Sequence, residues 1–527
     1  MEKSTDSVIK EKSYLSKFGY VIKKEDFKEN QLSILKNELT AKPLVDDKYG
    51  KAGESNYPVY IETKNKIYIP KMFGINRYGL PKTSKEYDGK EWEDDIRFKG
   101  TLFSSQQEPV DALLNACNNN GGGILALGTG GGKSIIALYT LSQLKRKTLI
   151  VVNKITLMKQ WENEIHQFLP HARVGIIQGQ KNVNVSDTDI VIGMLQSLSK
   201  IDYPQELFND ISVVVLDEAH NVCSKSFSKI FFKICSKYTI GLSATPQRSD
   251  GCEKLLQWHI GDIVYQKASE TKGSGLQPII KSILLDSSDY KEIKVTNQYT
   301  NEEQIQFTSM LSDLVAMPKR NKLILEIVKE LITVQKRKVL LLTDRRSHVT
   351  ELKGALDKDL SVTFTYGLFI GSMKIADLEK SKSCDLILAT YKAFSEGVSE
   401  ASLNTLVLVT PKKFIGHLQK TKKLDSKKDS GQLNQIVGRI FRKTHTELNP
   451  TIIDLQDNFS VYRNQSKQRS VFYKQHFPNG IFINQSINLD KYDLNSINVS
   501  LIKTKSSHGM DVSHDLSETL PQNCLID

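Results

Sequence analysis

The sequence predicts an α/β protein with two tandem lobes, each built on a parallel sheet, behind a small N-terminal α+β module. Two series of short apolar runs predict the lobes. The first comprises Ile124–Leu127, Thr148–Val152, Asp189–Ile192, Ser212–Leu216 and Thr239–Leu242. The second comprises Lys338–Leu342, Val362–Tyr366, Asp385–Leu388, Thr405–Val409 and Thr451–Leu455. The runs end in polar or glycine residues and alternate with longer helical patterns, as buried strands joined by crossover helices require. At 527 residues, 39% hydrophobic and 25% charged, the chain can bury a sizeable core in several domains. The expected divisions are the module at 1–95, a first lobe at 96–270, a linker at 271–320, a second lobe at 321–475 and a partly flexible extension at 476–527.

The module mixes charged helical stretches with a Tyr/Pro-rich segment, Tyr57–Pro70, whose residue types disclose no function. Beyond about 490 the chain is rich in Ser, Asn and Asp and poor in aromatics, as a frayed tail is. The net charge is +12. Such a balance marks either a solvated Lys-rich surface or attraction to a polyanion. The six cysteines, at 117, 223, 235, 252, 384 and 524, form no C-x-x-C pair, so neither a zinc ribbon nor a disulfide framework is expected. The N-terminus has no apolar leader, and no apolar run approaches the roughly 20 residues that cross a bilayer. These features predict a soluble, intracellular protein with no membrane partner.

The strongest local signal is Leu127-Gly128-Thr129-Gly130-Gly131-Gly132-Lys133-Ser134. It lies between the apolar run that ends at Leu127 and a helical pattern that opens with Ile135. Glycines at such a junction let backbone N–H groups close on phosphate oxygens, and the helix N-terminus adds partial positive charge. Lys133 is then placed to reach the β- and γ-phosphates of ATP, and the Ser134 hydroxyl to ligate Mg²⁺. The strict pattern puts its first glycine at 127, which here is Leu; the glycine stands at 128.

The second signal is Asp217-Glu218-Ala219-His220, directly after Val213–Leu216. A carboxylate at the C-terminal end of a parallel strand lies where ligands bind in open α/β sheets. Asp217 is a candidate to hold Mg²⁺, and Glu218 to orient and deprotonate an attacking water. His220 can couple the nucleotide to the neighbouring strand.

With these two signals in order, the chain resembles the superfamily 2 helicases, whose two lobes are RecA-like. Gln106 resembles the family's upstream adenine-reading glutamine. Asn153-Lys154 with Leu157–Trp161 resembles motif Ia, and Gly193–Ser197 resembles motif Ib. Ser243-Ala244-Thr245 resembles motif III, which links nucleotide state to lobe closure. Ala389-Thr390 with Glu396-Gly397 resembles motif V, although Ser399 stands where that motif usually has Asp. Gln435, Arg439 and Arg442, in a Q-x-x-G-R-x-x-R pattern, resemble motif VI. At helical spacing they share one face. The resemblance spans 106–442 and implies an enzyme that hydrolyses ATP between its lobes. Arg442 is then the best candidate for an arginine finger, with Arg439 also on phosphate. The nucleic-acid contacts it implies are Lys154, Gln196, Ser197, Gly371, Ser372 and Thr390.

Two stretches narrow the branch. Gly241–Gly251, containing Arg248 and Asp250, resembles helicases akin to the xeroderma-pigmentosum type B translocase. Asp344–His348 and Phe369–Lys374 are more similar to helicases of large cytoplasmic DNA viruses, among them the poxvirus transcript-release helicase and its asfarvirus and iridovirus relatives. That likeness implies a DNA helicase or translocase tied to viral transcription, working with transcription machinery in the host cytoplasm or the virion. An RNA helicase of the DEAH type and a non-catalytic scaffold remain alternatives. The stretch Lys412–Asp429 holds seven lysines and two aspartates; it is either a solvated loop or a mobile contact to nucleic acid.

Overall fold

The structure is a computed structural model and describes residues 5–28, 30–43, 56–86, 88–128, 130–180, 182–244, 252–267, 276–296, 303–371, 373–395, 402–412, 431–441 and 447–491. Near-continuous apolar runs become the buried strands of two parallel sheets. The first sheet runs, edge to edge, Asn182–Asn184, Val174–Gln178, Ile190–Met194, Thr148–Val152, Val213–Leu216, Tyr238–Ser243, Gly122–Leu127 and Ile263–Lys267. All neighbours pair in parallel except the first two strands. Hydrophobic cores cover both faces. One is centred on Leu149, Val214 and Leu256, the other on Ile150, Val215 and Trp161.

The second sheet is parallel throughout, in the order Tyr366–Phe369, Leu386–Thr390, Val339–Thr343, Thr405–Leu408, Thr451–Asp457, Ile279–Asp286 and Ile481–Asn488. Two of these strands lie in segments expected as the linker, 271–320, and the extension, 476–527. Ile279–Asp286 buries Ile279, Ile280, Ile283 and Leu285 and belongs to the sheet interior. Ile481–Asn488 is an edge strand that buries only Ile487 (4% exposed), which is why its polar sequence reads as tail. The strand expected at Val362–Tyr366 instead spans Tyr366–Phe369. Val362 and Phe364 are only partly buried against the core below the sheet edge, and Thr365 is tied to the Asp385 carboxylate through its N–H and hydroxyl.

The N-terminal module is a five-stranded sheet in the order Ile61–Glu62, Lys66–Ile69, Gly19–Lys23, Tyr14–Ser16 and Thr83–Ser84. Helices Thr5–Lys12 and Lys71–Tyr78 accompany it. The module docks on the first lobe through buried polar contacts. Lys71 Nζ donates to the carbonyls of Ser236 (3.1 Å) and Lys237 (2.8 Å), and Tyr57 donates to the Cys223 carbonyl at 2.7 Å. No helix among the described residues is long and apolar enough to cross a membrane.

Two buried ion pairs lock the second sheet to its helices. Arg320 grips Asp457 with Nε at 2.8 Å and Nη2 at 2.9 Å, and Arg469 Nη2 meets Asp454 at 2.9 Å. Removing one partner of such a pair strands a buried charge and costs about 3–5 kcal/mol. Nearby, His348 is fully buried between Thr343 (2.8 Å at Nδ1) and Asn321 (2.9 Å at Nε2). Burial, with Arg320 beside it, pushes its imidazole down from 6.5 to about 3. Folded His348 therefore stays neutral where the unfolded chain would take up a proton. Its contribution is complete above about pH 6.5 and erodes as the pH falls toward 3. Melting temperature should accordingly drop on acidification below pH 6.5, and His348→Gln should flatten that slope. Equal slopes for the two proteins would assign the acid sensitivity elsewhere.

Candidate functional site

Gly128, Lys154, Gln196, Asp217 and Ser243 all lie at or just beyond the C-terminal ends of parallel strands of the first sheet. That common edge is where an open α/β sheet offers a crevice to ligands. The glycine loop turns on itself there, with Gly131 N–H donating to the Gly128 carbonyl at 3.0 Å. Gly130 and Gly132 hold φ +81° and +77°, the left-handed region that glycine occupies without strain. A Cβ on Gly132 would also lie 2.5 Å from Gln106 Nε2 and would displace that side chain, whereas one on Gly130 would meet open space. Gly132 caps helix Lys133–Leu144, and Lys133 Nζ donates to the Leu127 carbonyl at 3.1 Å, across the loop. Gln106 is buried against this loop, its carbonyl taken by the N–H of Phe103 at 2.9 Å. Thr129 lies outside the described residues.

Asp217 is enclosed by donors. Its Oδ2 accepts from the Trp161 indole at 2.9 Å, and its Oδ1 from the Glu218 N–H at 2.9 Å. Burial, and after it the neighbouring Glu218 carboxylate, push the Asp217 carboxyl up to about 6; the Trp161 indole and Lys133 act in the opposite direction. Glu218 sits at φ +47°, an uncommon conformation for a non-glycine residue and one that sites of chemistry often retain. Its Oε2 is buried with no hydrogen-bond partner, and His220 Nδ1 lies 3.5 Å from it. The same ring nitrogen meets Ser243 Oγ at 3.2 Å. Three of the residues expected in motifs II and III are thus physically joined: Glu218, His220 and Ser243. A glycine cradle, an ammonium and an orphaned carboxylate oxygen together fit a magnesium–nucleotide complex.

A cavity of about 730 Å³ opens between the two sheets. Lys154, Ile155 and Thr156 line it from the first lobe, and Arg346, Thr390 and Lys392 from the second. Burial first, then Lys392 and Arg439, lower the Lys154 ammonium to about 8, while Glu218 acts to raise it. Lys154 is therefore within electrostatic reach of the carboxylate of its own lobe and of cations of the other. Arg439 is buried, with its guanidinium 5.9 Å from the Phe394 ring. The helix expected through motif VI ends at Val437, and Gly438–Phe441 tightens to a 3-10 turn, so Arg439 departs from simple helical spacing.

The remaining expected residues divide. Gly371 lines the cavity together with Lys154 and Thr390. Gln196 donates to the Asn153 carbonyl at 2.8 Å, and the Ser197 hydroxyl accepts from the Gly179 N–H at 2.9 Å. Thr245, Arg248, Asp250, Ser372, Gly397, Arg442 and the Gln435 side chain lie outside the described residues. Of the lysine-rich stretch, Lys412 is described. It pairs with Asp344 at 2.6 Å and lies 5.3 Å from the Tyr391 ring, a structural role. Sequence reasoning missed Lys392, Arg346 and the polar role of Trp161. Lys392 could have been found, since it stands two residues past a strand-terminal threonine.

Comparison with known proteins agrees with this architecture. Residues 99–248 match the family described as the type III restriction enzyme res subunit. A protein of Acanthamoeba polyphaga mimivirus, provisionally named an ATP-dependent RNA helicase, is 32% identical over 91% of this chain and 87% of its own length. A similarly named protein of African swine fever virus is 26% identical over 71% of this chain and 73% of its own. The DNA 3'-5' translocase XPB2 of Sulfurisphaera tokodaii is 33% identical over 42% of this chain and 45% of its own.

The role expected for Glu218 separates binding from chemistry. Glu218→Gln should retain ATP affinity and lose turnover by roughly 10²–10⁴, the range usual for proton transfer. Nucleotide titration beside steady-state hydrolysis measures both quantities, and normal turnover would assign the proton to another residue.

Proposed function

The chain belongs to the superfamily 2 helicases, and on that premise we propose that it is a DNA translocase or helicase whose stroke is the closing of the interlobe cavity on a nucleic-acid strand. As a member of that family it hydrolyses ATP and acts on nucleic acid. The observation that carries the finer reading is the convergence on one cavity of Lys154 from the first lobe with Lys392 and Arg346 from the second. Cations on both walls suit a phosphate backbone, which positions a strand without reading its sequence.

In the proposed cycle the N–H groups of the glycine loop and the Lys133 ammonium take up the β- and γ-phosphates. Ser134 and Asp217 would hold Mg²⁺, which offsets charge on the phosphate oxygens. Glu218 Oε2, otherwise unsatisfied, accepts the proton of the attacking water. Arg439 and Arg442 from the second lobe stabilise charge that develops on the transferred group, so hydrolysis depends on closure. The Glu218–His220–Ser243 contacts connect the carboxylate to the neighbouring strand, along which the change of nucleotide state is relayed.

The choice of DNA rests on the relative named a DNA translocase and on the resemblance to helicases of large DNA viruses. An RNA helicase is the second reading, favoured by the names of the mimivirus and African swine fever virus proteins. The viral relatives support a role in viral transcription or DNA metabolism within an infected cell. Steady-state ATP hydrolysis with single-stranded DNA, duplex DNA and RNA as activators tests the reading. DNA should stimulate most. Stimulation by RNA alone would favour the second reading, and no stimulation by any of the three would overturn the motor.

A further inference from the structure

We infer that the helix Ile155–Phe168 braces the metal site, with Trp161 and Glu164 as positioning residues for Asp217 and Ser134. The inference rests on the reading of Asp217 and Ser134 as the metal ligands. Trp161 is among the largest fully buried side chains of the protein, at 1% exposure. Its one polar atom could have been satisfied by a backbone carbonyl, as the Trp92 indole is by the carbonyl of Asp189 at 3.2 Å. Instead it donates to the side chain of Asp217 at 2.9 Å. Together with the Glu218 N–H on Oδ1, this bond fixes the rotation of the Asp217 carboxylate. Each oxygen keeps a lone pair for a cation.

Three residues further, and so on the same face of the helix, Glu164 approaches the other ligand. Its Oε1 accepts from Gln160 Nε2 at 2.8 Å, which sets the plane of the carboxylate. Burial raises the Glu164 carboxyl above its usual range, and the Gln160 amide and then the Ser134 hydroxyl act in the opposite direction. Glu164 Oε2 is buried and has no hydrogen-bond partner. A buried acceptor of this kind costs free energy until a donor reaches it. The Ser134 hydroxyl and a water on a hydrated cation are donors of the right kind. Groups that orient metal ligands in this way commonly govern affinity for the metal.

The same helix begins in the interlobe cavity, where Ile155 and Thr156 line the wall. At about 1.5 Å per residue, Thr156 lies only about 8 Å along the axis from Trp161. A shift of the helix at the nucleic-acid cleft therefore reaches the Asp217 carboxylate through one rigid element.

The test is a Mg²⁺ titration of ATP hydrolysis by Trp161→Phe and Glu164→Gln, paired with Mn²⁺ binding followed by electron paramagnetic resonance in the presence of a non-hydrolysable ATP analogue. Trp161→Phe keeps an aromatic ring in the core, though a smaller one, and deletes the donor; Glu164→Gln keeps the shape and deletes the charge. Both should weaken metal binding by about 10–100-fold in protein that melting curves show to be folded, with turnover largely recovered at high Mg²⁺. Wild-type Mg²⁺ and Mn²⁺ affinity in a folded Trp161→Phe protein would overturn the brace, as would wild-type affinity in Glu164→Gln if the first variant fails to fold. Lys133→Ala distinguishes the two levels. If it too leaves turnover intact, the reading of the phosphate site fails; if it abolishes turnover while the metal titrations stay unmoved, the brace alone fails.

Discussion

Where the two sheets face one another, cations of both lobes lie within electrostatic reach of one another. Lys154 enters from the first lobe, Lys392 and Arg439 from the second, and burial together with those neighbours lowers the Lys154 ammonium to about 8. Like charges in a partly dry cleft repel more strongly than in water. An anion between the walls would favour the arrangement, and Glu218 and the cavity-lining Asp344 are anions that the protein itself supplies nearby. In the proposed cycle, opening and closing of the lobes, grip on a polyanion and the chemistry of the carboxylate become a single electrostatic problem. A strand of nucleic acid in the cavity would relieve the repulsion and permit closure, and closure would bring the second lobe's arginines to the nucleotide.

The rest of the molecule serves that juxtaposition. Parallel strands deliver the glycine loop, Asp217 and Ser243 to one edge of the first sheet, and Thr390 and Gly371 to the corresponding edge of the second. The ion pairs Arg320–Asp457 and Arg469–Asp454 hold the second sheet to its helices from within. Each is wholly buried, so its geometry cannot loosen without exposing an uncompensated charge. His348, bonded at both ring nitrogens, stiffens the turn that follows Val339–Thr343, next to Arg346 on the cavity wall.

Much of this was legible in residue types because the signals are local. The glycine loop, the acidic strand end and the runs of Val, Ile and Leu each declare themselves within a few residues, and the folded protein places them as expected. Signals that depend on neighbours distant in sequence were hidden. Ile279–Asp286 reads as a stray apolar stretch until Thr451–Asp457 and Ile481–Asn488 flank it. The edge strand itself is too polar to be recognised alone. Trp161 reads as a core residue, and only the approach of Asp217, 56 positions away, gives its indole a polar task. Ser197 and Gln196, drawn toward nucleic acid by resemblance, also hold local backbone at Gly179 and Asn153, a task that their residue types do not announce.

The account turns on Lys154 being a cation whose charge is held at a cost and stabilised by a bound strand. Its lowered ammonium makes a claim in pH. Affinity for a single-stranded oligonucleotide at fixed ionic strength should be level below pH 8 and decline above it, because binding then requires a proton that the free protein has begun to lose. Lys154→Met should bind more weakly at neutral pH and lose this decline. The measurement is the oligonucleotide dissociation constant of both proteins from about pH 7 to about pH 9, a window in which an unperturbed lysine does not titrate. A profile that is the same in both proteins would contradict the placement of Lys154 against the strand, and with it the claim that nucleic acid and nucleotide meet across this cleft.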